Sequence, residues 1–186
     1  ESKAYPFQGP HNKNVPTLAE MTSAALNVLD NDPDGFFLMV EGGAVDWASH
    51  DNQKGRMIEE MIDFNQAVES VIEWVENNGG WEQTLVIVTA DHECGYLTAA
   101  APGKNGTEEP DAAVKVPAES PLINRGLGAV PGMQYHSDEH TNSLVPLYAQ
   151  GPGASWLRQA ARETDPVRGA YLDNTDVGRF LLAVAQ

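Results

Sequence analysis

The chain has a single cysteine, Cys94, in 186 residues. One thiol excludes an intramolecular disulfide and a cysteine-rich zinc module. No run of about 18 apolar residues occurs, so the sequence encodes no membrane-spanning helix. Basic residues are scarce as well: 11 Lys and Arg stand against 27 Asp and Glu, a formal net charge of −16 at pH 7. Such a charge argues against nucleic acid or an anionic membrane as a partner, since both would be repelled. An anionic small substrate would be repelled too, unless bound metal ions reverse the field locally. No signal-peptide pattern opens the chain, and ESKAYPFQGPHNKN reads as the middle of something longer. What is present suffices for one folded domain, because this length and a 41% hydrophobic content allow a real core.

The chain to Pro16 is polar and marked by Pro and Gly, which predicts a loop or linker. Thr17 and Glu20 then form a T-x-x-E capping box that opens a helix through about Leu29. The turn cluster Asn31-Asp32-Pro33-Asp34-Gly35 leads into Phe36–Val40, a continuous apolar run of the kind that suits a buried parallel strand. From about Gln53 to Glu76, apolar residues at helical spacing (Met57, Met61, Val68, Val75 among them) predict a long helix, stopped by Asn78-Gly79-Gly80. Thr84–Thr89 predicts a second buried strand. The Pro/Gly-rich stretch from about 99 to 134 predicts a surface excursion. Leu144–Ala149 reads as a third strand, and Asn174, Thr175 and Asp176 open a C-terminal helix carrying Val177, Phe180, Leu181 and Val184. This order predicts an α/β fold, with a mostly parallel central sheet flanked by helices.

Six residues in three short motifs have the side chains of metal ligands: Glu41, Asp46 and His50 in VEGGAVDWASH, Asp91 and His92 in VTADHE, and His140 in HTNSLVPLYAQG. An oxygen-plus-imidazole set without thiolate suits Zn²⁺ with a hard Mg²⁺ or Ca²⁺ site nearby. Glu41 follows a buried run and precedes two glycines. A carboxylate there needs a cation, or else it caps a neighbouring helix. Asp46 and His50 stand i, i+4 and project from one side of a helical turn, a spacing that a solvated helix start shares. Asp91 and His92, adjacent at a strand end, can converge on one ion or form a plain Asp turn. A lone histidine such as His140 also fits a structural role. His136 reads as a bystander or a group behind the ligands, and Cys94 as a small buried residue. Trp47 either lines a substrate cleft or packs in the core.

Taken together, VEGGAVDWASHDN, VTADHECG and HTNSLVPLYAQGPGA, in that order, resemble the three C-terminal metal motifs of the alkaline phosphatases. PTLAEMTSAAL and LDNTDVGRFLL resemble that family's flanking helices, so the likeness covers most of the chain outside the excursion. The resemblance implies the family's fold, present over 1–186 as a C-terminal part, and a phosphomonoesterase with two Zn²⁺ and one Mg²⁺. It implies that Asp46, His50 and His140 bind one zinc, Asp91 and His92 the second, and Glu41 the magnesium. At the position of Trp47 the family varies among basic and aromatic residues. A periplasmic or extracellular location and a homodimer also come with the resemblance.

The family's nucleophile motif D-S-A, its aspartate shared between metals and its phosphate-binding arginine have no counterpart in the sequence. No serine here follows an aspartate in D-S-A, so the resemblance implies that the catalytic serine belongs to a missing N-terminal segment. The isolated chain is then expected to be inactive or nearly so. Two other readings stand beside this one: a different metal-dependent phosphoester or sulfate-ester hydrolase of the superfamily, and a non-catalytic zinc-binding or structural fragment.

Overall fold

The structure is a computed structural model that describes residues 14–99 and 123–184. Its helices are α1 (Leu18–Leu29), α2 (Ala44–His50), α3 (Lys54–Asn77), α4 (Ala154–Ala160) and α5 (Asn174–Val184). Its strands are short: β1 (Val86–Val88), β2 (Glu93–Cys94), β3 (Thr98–Ala99), β4 (Met133–Gln134), β5 (His140–Thr141), β6 (Tyr148–Gln150), β7 (Glu163–Asp165) and β8 (Gly169–Tyr171). Two compact units emerge, one of Glu1–Ser70 with Cys94–Thr141 and one of Val71–Glu93 with Asn142–Gln186. The polar leader before residue 14 and the part of the excursion between 100 and 122 lie outside the described residues.

In the first unit α1 starts where the capping box places it. Thr17 Oγ1 accepts from the Glu20 N–H at 3.1 Å and the Glu20 carboxylate accepts from the Thr17 N–H at 2.8 Å, so two donors orphaned at the helix start are satisfied. Leu26 and Thr22 form its buried side. The turn at 31–35 forms as read, with Asp32 Oδ1 accepting from the Asp34 N–H. The apolar run Phe36–Val40 does not become a strand: it carries no ladder assignment, and Phe37 and Met39 are 69% and 75% exposed. Composition marks such a run for burial, but a strand also requires a partner edge, which composition does not supply. The chain then passes close over α3 at Gly42, where a Cβ would lie 2.8 Å from Phe64 Cδ2. The predicted excursion is gathered at its base by β3 and β4, antiparallel with Thr98 opposite Gln134 and Ala99 opposite Met133.

The second unit is built on β1 and β6, paired antiparallel with Ile87 opposite Ala149. This corrects the expected parallel sheet. All four sheets among the described residues are two-stranded, and the three whose register is resolved are antiparallel. Apolar runs of strand length suit either direction; the path of the chain between them decides. Gly151 follows β6 at φ +109°, and a Cβ there would stand 2.0 Å from the Thr84 carbonyl oxygen, so only glycine fits. Helices α4 and α5 meet where Trp156 stacks on Phe180, with ring centroids 5.1 Å apart, and Leu157 and Phe180 are both buried. Burying a leucine such as Leu157 contributes about 1.5–3 kcal/mol. The hairpin β7–β8 and helix α4 fill a stretch for which the sequence reading proposed no element. The end of α3 is as expected: Gly79 and Gly80 take φ of +96° and +74°, and the Gly80 N–H closes on the Val75 carbonyl.

Candidate metal centre

Helix α2 turns the i, i+4 spacing of Asp46 and His50 into a pair, with His50 Nε2 3.5 Å from Asp46 Oδ2. Buried Ser49 anchors the helix: its Oγ contacts the Val45 carbonyl at 2.9 Å and the Tyr135 hydroxyl at 3.1 Å. Tyr135 in turn requires glycine at 95, where a Cβ would lie 2.4 Å from Tyr135 Cδ1 and φ is +82°. Gly95 ties the segment after β2 to the arm carrying His140. Its N–H donates to the Glu139 carbonyl, and its carbonyl accepts from the N–H groups of His136 and Ser137.

His140, the first residue of β5, thereby comes to Asp46 and His50. Its Nε2 lies 3.3 Å from Asp46 Oδ1 and 2.9 Å from His50 Nε2. The two imidazole rings sit 4.7 Å apart at 41°. His50 Nδ1–H donates to the Asp138 backbone carbonyl, which leaves the Nε2 lone pair facing the cluster. That carbonyl is also the main reason the His50 pKa rises above its ordinary value. Partial burial opposes the rise, and the carboxylates of Asp46, Glu139 and Asp138 add to it.

This geometry suits a cation. Four ligands about 2.0–2.1 Å from a tetrahedral zinc stand about 3.3 Å from one another. Here the two Nε2 atoms are 2.9 Å apart, and one oxygen of the Asp46 carboxylate faces each ring, Oδ1 at 3.3 Å from His140 and Oδ2 at 3.5 Å from His50. Asp46 Oδ1 is sealed from solvent and has no hydrogen-bond partner. An anionic oxygen in that position is costly unless a cation meets it. Two facing Nε2 atoms repel unless a proton or a metal stands between them.

The fourth member of the group was not anticipated. Cys94 Sγ donates to the Asp46 backbone carbonyl at 3.8 Å, and the donor atoms of Asp46, His50, Cys94 and His140 all lie within 4.8 Å of one another. The expectation of a small buried cysteine is corrected to a half-buried thiol beside Asp46, His50 and His140. The sequence signal was its place three residues after Asp91 in D-H-E-C-G.

The remaining candidates fall outside this group. Glu41 is exposed, three residues before α2 begins. In the second unit Asp91 and His92 form a pair of their own: Asp91 Oδ2 is 3.4 Å from His92 Nε2, and His92 Nδ1 lies 3.3 Å from the Glu93 carbonyl. Asp91 is 88% exposed. Trp47 is 71% exposed and is not a core residue. His136 is engaged elsewhere, with Nε2 2.7 Å from Thr98 Oγ1 and its ring against Tyr96.

The alkaline phosphatase family profile matches residues 3–120, more than half of the chain. The chain belongs to the alkaline phosphatase family. Alkaline phosphatase 3 of Bacillus subtilis (strain 168) is 43% identical over 104 residues, covering 55% of this chain and 22% of that protein. The alkaline phosphatase of Escherichia coli (strain K12) is 36% identical over 159 residues, covering 83% of this chain and 31% of that protein. Among solved structures, the alkaline phosphatase from the Antarctic bacterium TAB5 aligns with a TM-score of 0.55 at 30% identity, over 74% of this chain and 34% of that one. A variant of the TAB5 enzyme, described with Mg bound in its M3 site, aligns equally well at 29% identity, over 77% of this chain and 36% of that one. The chain thus spans less than half the length of these alkaline phosphatases, and the likeness supports an alkaline-phosphatase-like fold.

Proposed function

We propose that this chain supplies most of the metal ligands of a phosphomonoester hydrolase. The observation that carries the reading is the convergence of Asp46, His50 and His140 on one point from two separate segments of chain. These three residues hold one zinc. Asp91 and His92 contribute to a second, and Glu41 to a magnesium site, in keeping with the Mg described for the TAB5 variant. Such ions, when bound, stabilise charge on the entering and leaving oxygens of phosphoryl transfer. The chain's own groups do the positioning: the Asp138 carbonyl sets the His50 tautomer, and the Ser49–Tyr135 contact holds α2 against the arm of His140. The serine nucleophile and a phosphate-binding arginine come from a segment outside these 186 residues. The other partners of this reading are a phosphomonoester substrate and a second copy in a homodimer, in a periplasmic or extracellular setting.

The test is turnover of a chromogenic phosphomonoester with added zinc and magnesium, by the 186-residue chain and by a longer polypeptide that includes the D-S-A segment. The longer form should turn over, and His140→Ala should lower its kcat/KM by about 100-fold or more, since such constellations act as units. The short chain should show negligible turnover. A longer form that binds zinc yet hydrolyses nothing would favour the structural-fragment reading. Robust, His140-dependent turnover by the short chain would overturn the assignment of the nucleophile to another segment.

A further inference from the structure

Cys94 stands where a bystander would not. Its backbone is held through the residue that follows it. Gly95 is pinned by the Glu139 carbonyl and by the N–H groups of His136 and Ser137, and behind it Tyr135 leaves no room for a side chain. The thiol points at the ligand-bearing turn of α2 and meets the Asp46 carbonyl. Together with Asp46, His50 and His140 it forms a set of one carboxylate, two imidazoles and one sulfur, mutually within 4.8 Å. The solvent-sealed Asp46 Oδ1, which accepts no well-formed hydrogen bond and has His140 Nε2 3.3 Å away, faces the same point. Bonds of about 2.3 Å to sulfur and about 2.0 Å to nitrogen put the S···N edge of a tetrahedral site near 3.5 Å. The donor atoms here lie within 4.8 Å of one another, so the set has to contract to reach that edge, and coordination would release the thiol proton to solvent.

We propose that Cys94 is a fourth protein ligand to the ion held by Asp46, His50 and His140. The proposal rests on the metal-centre reading above and adds the identity of the fourth ligand. Its consequence is chemical. A catalytic zinc keeps one position open, whereas four protein ligands close the shell. An ion held by these four residues would have no open position at rest, and substrate entry would then require the thiolate to leave or a fifth ligand to add. A sulfur ligand also biases the site toward thiophilic ions over hard ones.

Cobalt(II) is the probe. Loaded into the metal-free 186-residue chain, it should give the visible bands of a tetrahedral site together with a near-ultraviolet sulfur-to-cobalt charge-transfer band. Cys94→Ser should keep the visible bands, lose the charge-transfer band and bind zinc in competition about tenfold or more weakly. Circular dichroism of the metal-free forms establishes that the variant folds. If it does not, the wild-type spectrum still decides. Cobalt taken up with tetrahedral bands but no charge transfer overturns the role of Cys94 and leaves the three-residue site standing. No uptake by the wild type overturns both.

Discussion

At the scale of single residues, the three motifs differ in what they can do alone. Asp46, His50 and His140 come together among the described residues, whereas Glu41 stands exposed and outside that group. Replacing His50 with Ala should therefore abolish any zinc-dependent rise in melting temperature and weaken zinc binding at least about tenfold. Glu41→Ala should leave the rise nearly unchanged. Thermal scans with and without zinc measure both, and a large effect of Glu41→Ala would mean that the first ion sits elsewhere. The raised pKa of His50 adds a condition: protons compete with the ion up to a higher pH than at an ordinary imidazole. The meeting of Asp46, His50 and His140 was legible in the sequence because their motifs have fixed spacing and context. Cys94 was not, since a lone cysteine reads as a small core residue. Only the placement of β2 beside the turn of α2 reveals the thiol's neighbours.

Elements were legible where their causes are local. The capping box, the helical spacing of α3 and the Asn-Gly-Gly stop are all written in adjacent residues, and those boundaries fall within a residue or two of the expected ones. Strand pairing is set by distant residues, so Phe36–Val40 was given a sheet it does not join and β1 a parallel partner it does not have. The hairpin β7–β8 left a local sign that went unread: Asp165 opens D-P-V-R-G, and its Oδ1 accepts from the N–H groups of Val167 and Arg168. Helix α5 begins in the same way. Asp173 accepts from the Thr175 hydroxyl and N–H, and Asp176 reaches back to the Asp173 N–H. The Thr175 hydroxyl, and then its N–H, hold the Asp173 carboxyl below the usual carboxylate range. A depressed folded pKa gives stability that is present above the ordinary carboxylate pKa and lost as pH falls through the depressed value. Asp173→Ala should thus melt below wild type at neutral pH, and the gap should close in strong acid. Melting curves across that range that kept a constant gap would show that the carboxylate charge is not what caps the helix.

For the molecule as a whole, 27 acidic residues against 11 basic ones make cation binding the natural way to relieve self-repulsion at the site. Titration calorimetry on the isolated chain should find one tight zinc, because Asp91 and His92 alone form only half a ligand set. At a free concentration 100 times the Kd, that ion should add about 2.7 kcal/mol to stability. Two tight zinc ions per chain would mean that the second pair finds further ligands within these residues or in a second copy. The pairing of β3 with β4 has a consequence of a different kind. With Thr98 opposite Gln134 and Ala99 opposite Met133, the exit and return of the intervening chain are clamped side by side, about 4.8 Å apart as in any sheet. Closing a loop between fixed ends costs only about 0.6 kcal/mol per doubling of its length. An insertion between those strands is therefore expected to cost the frame that carries Asp46, His50 and His140 little, so this junction is a place where cargo can be grafted into the chain.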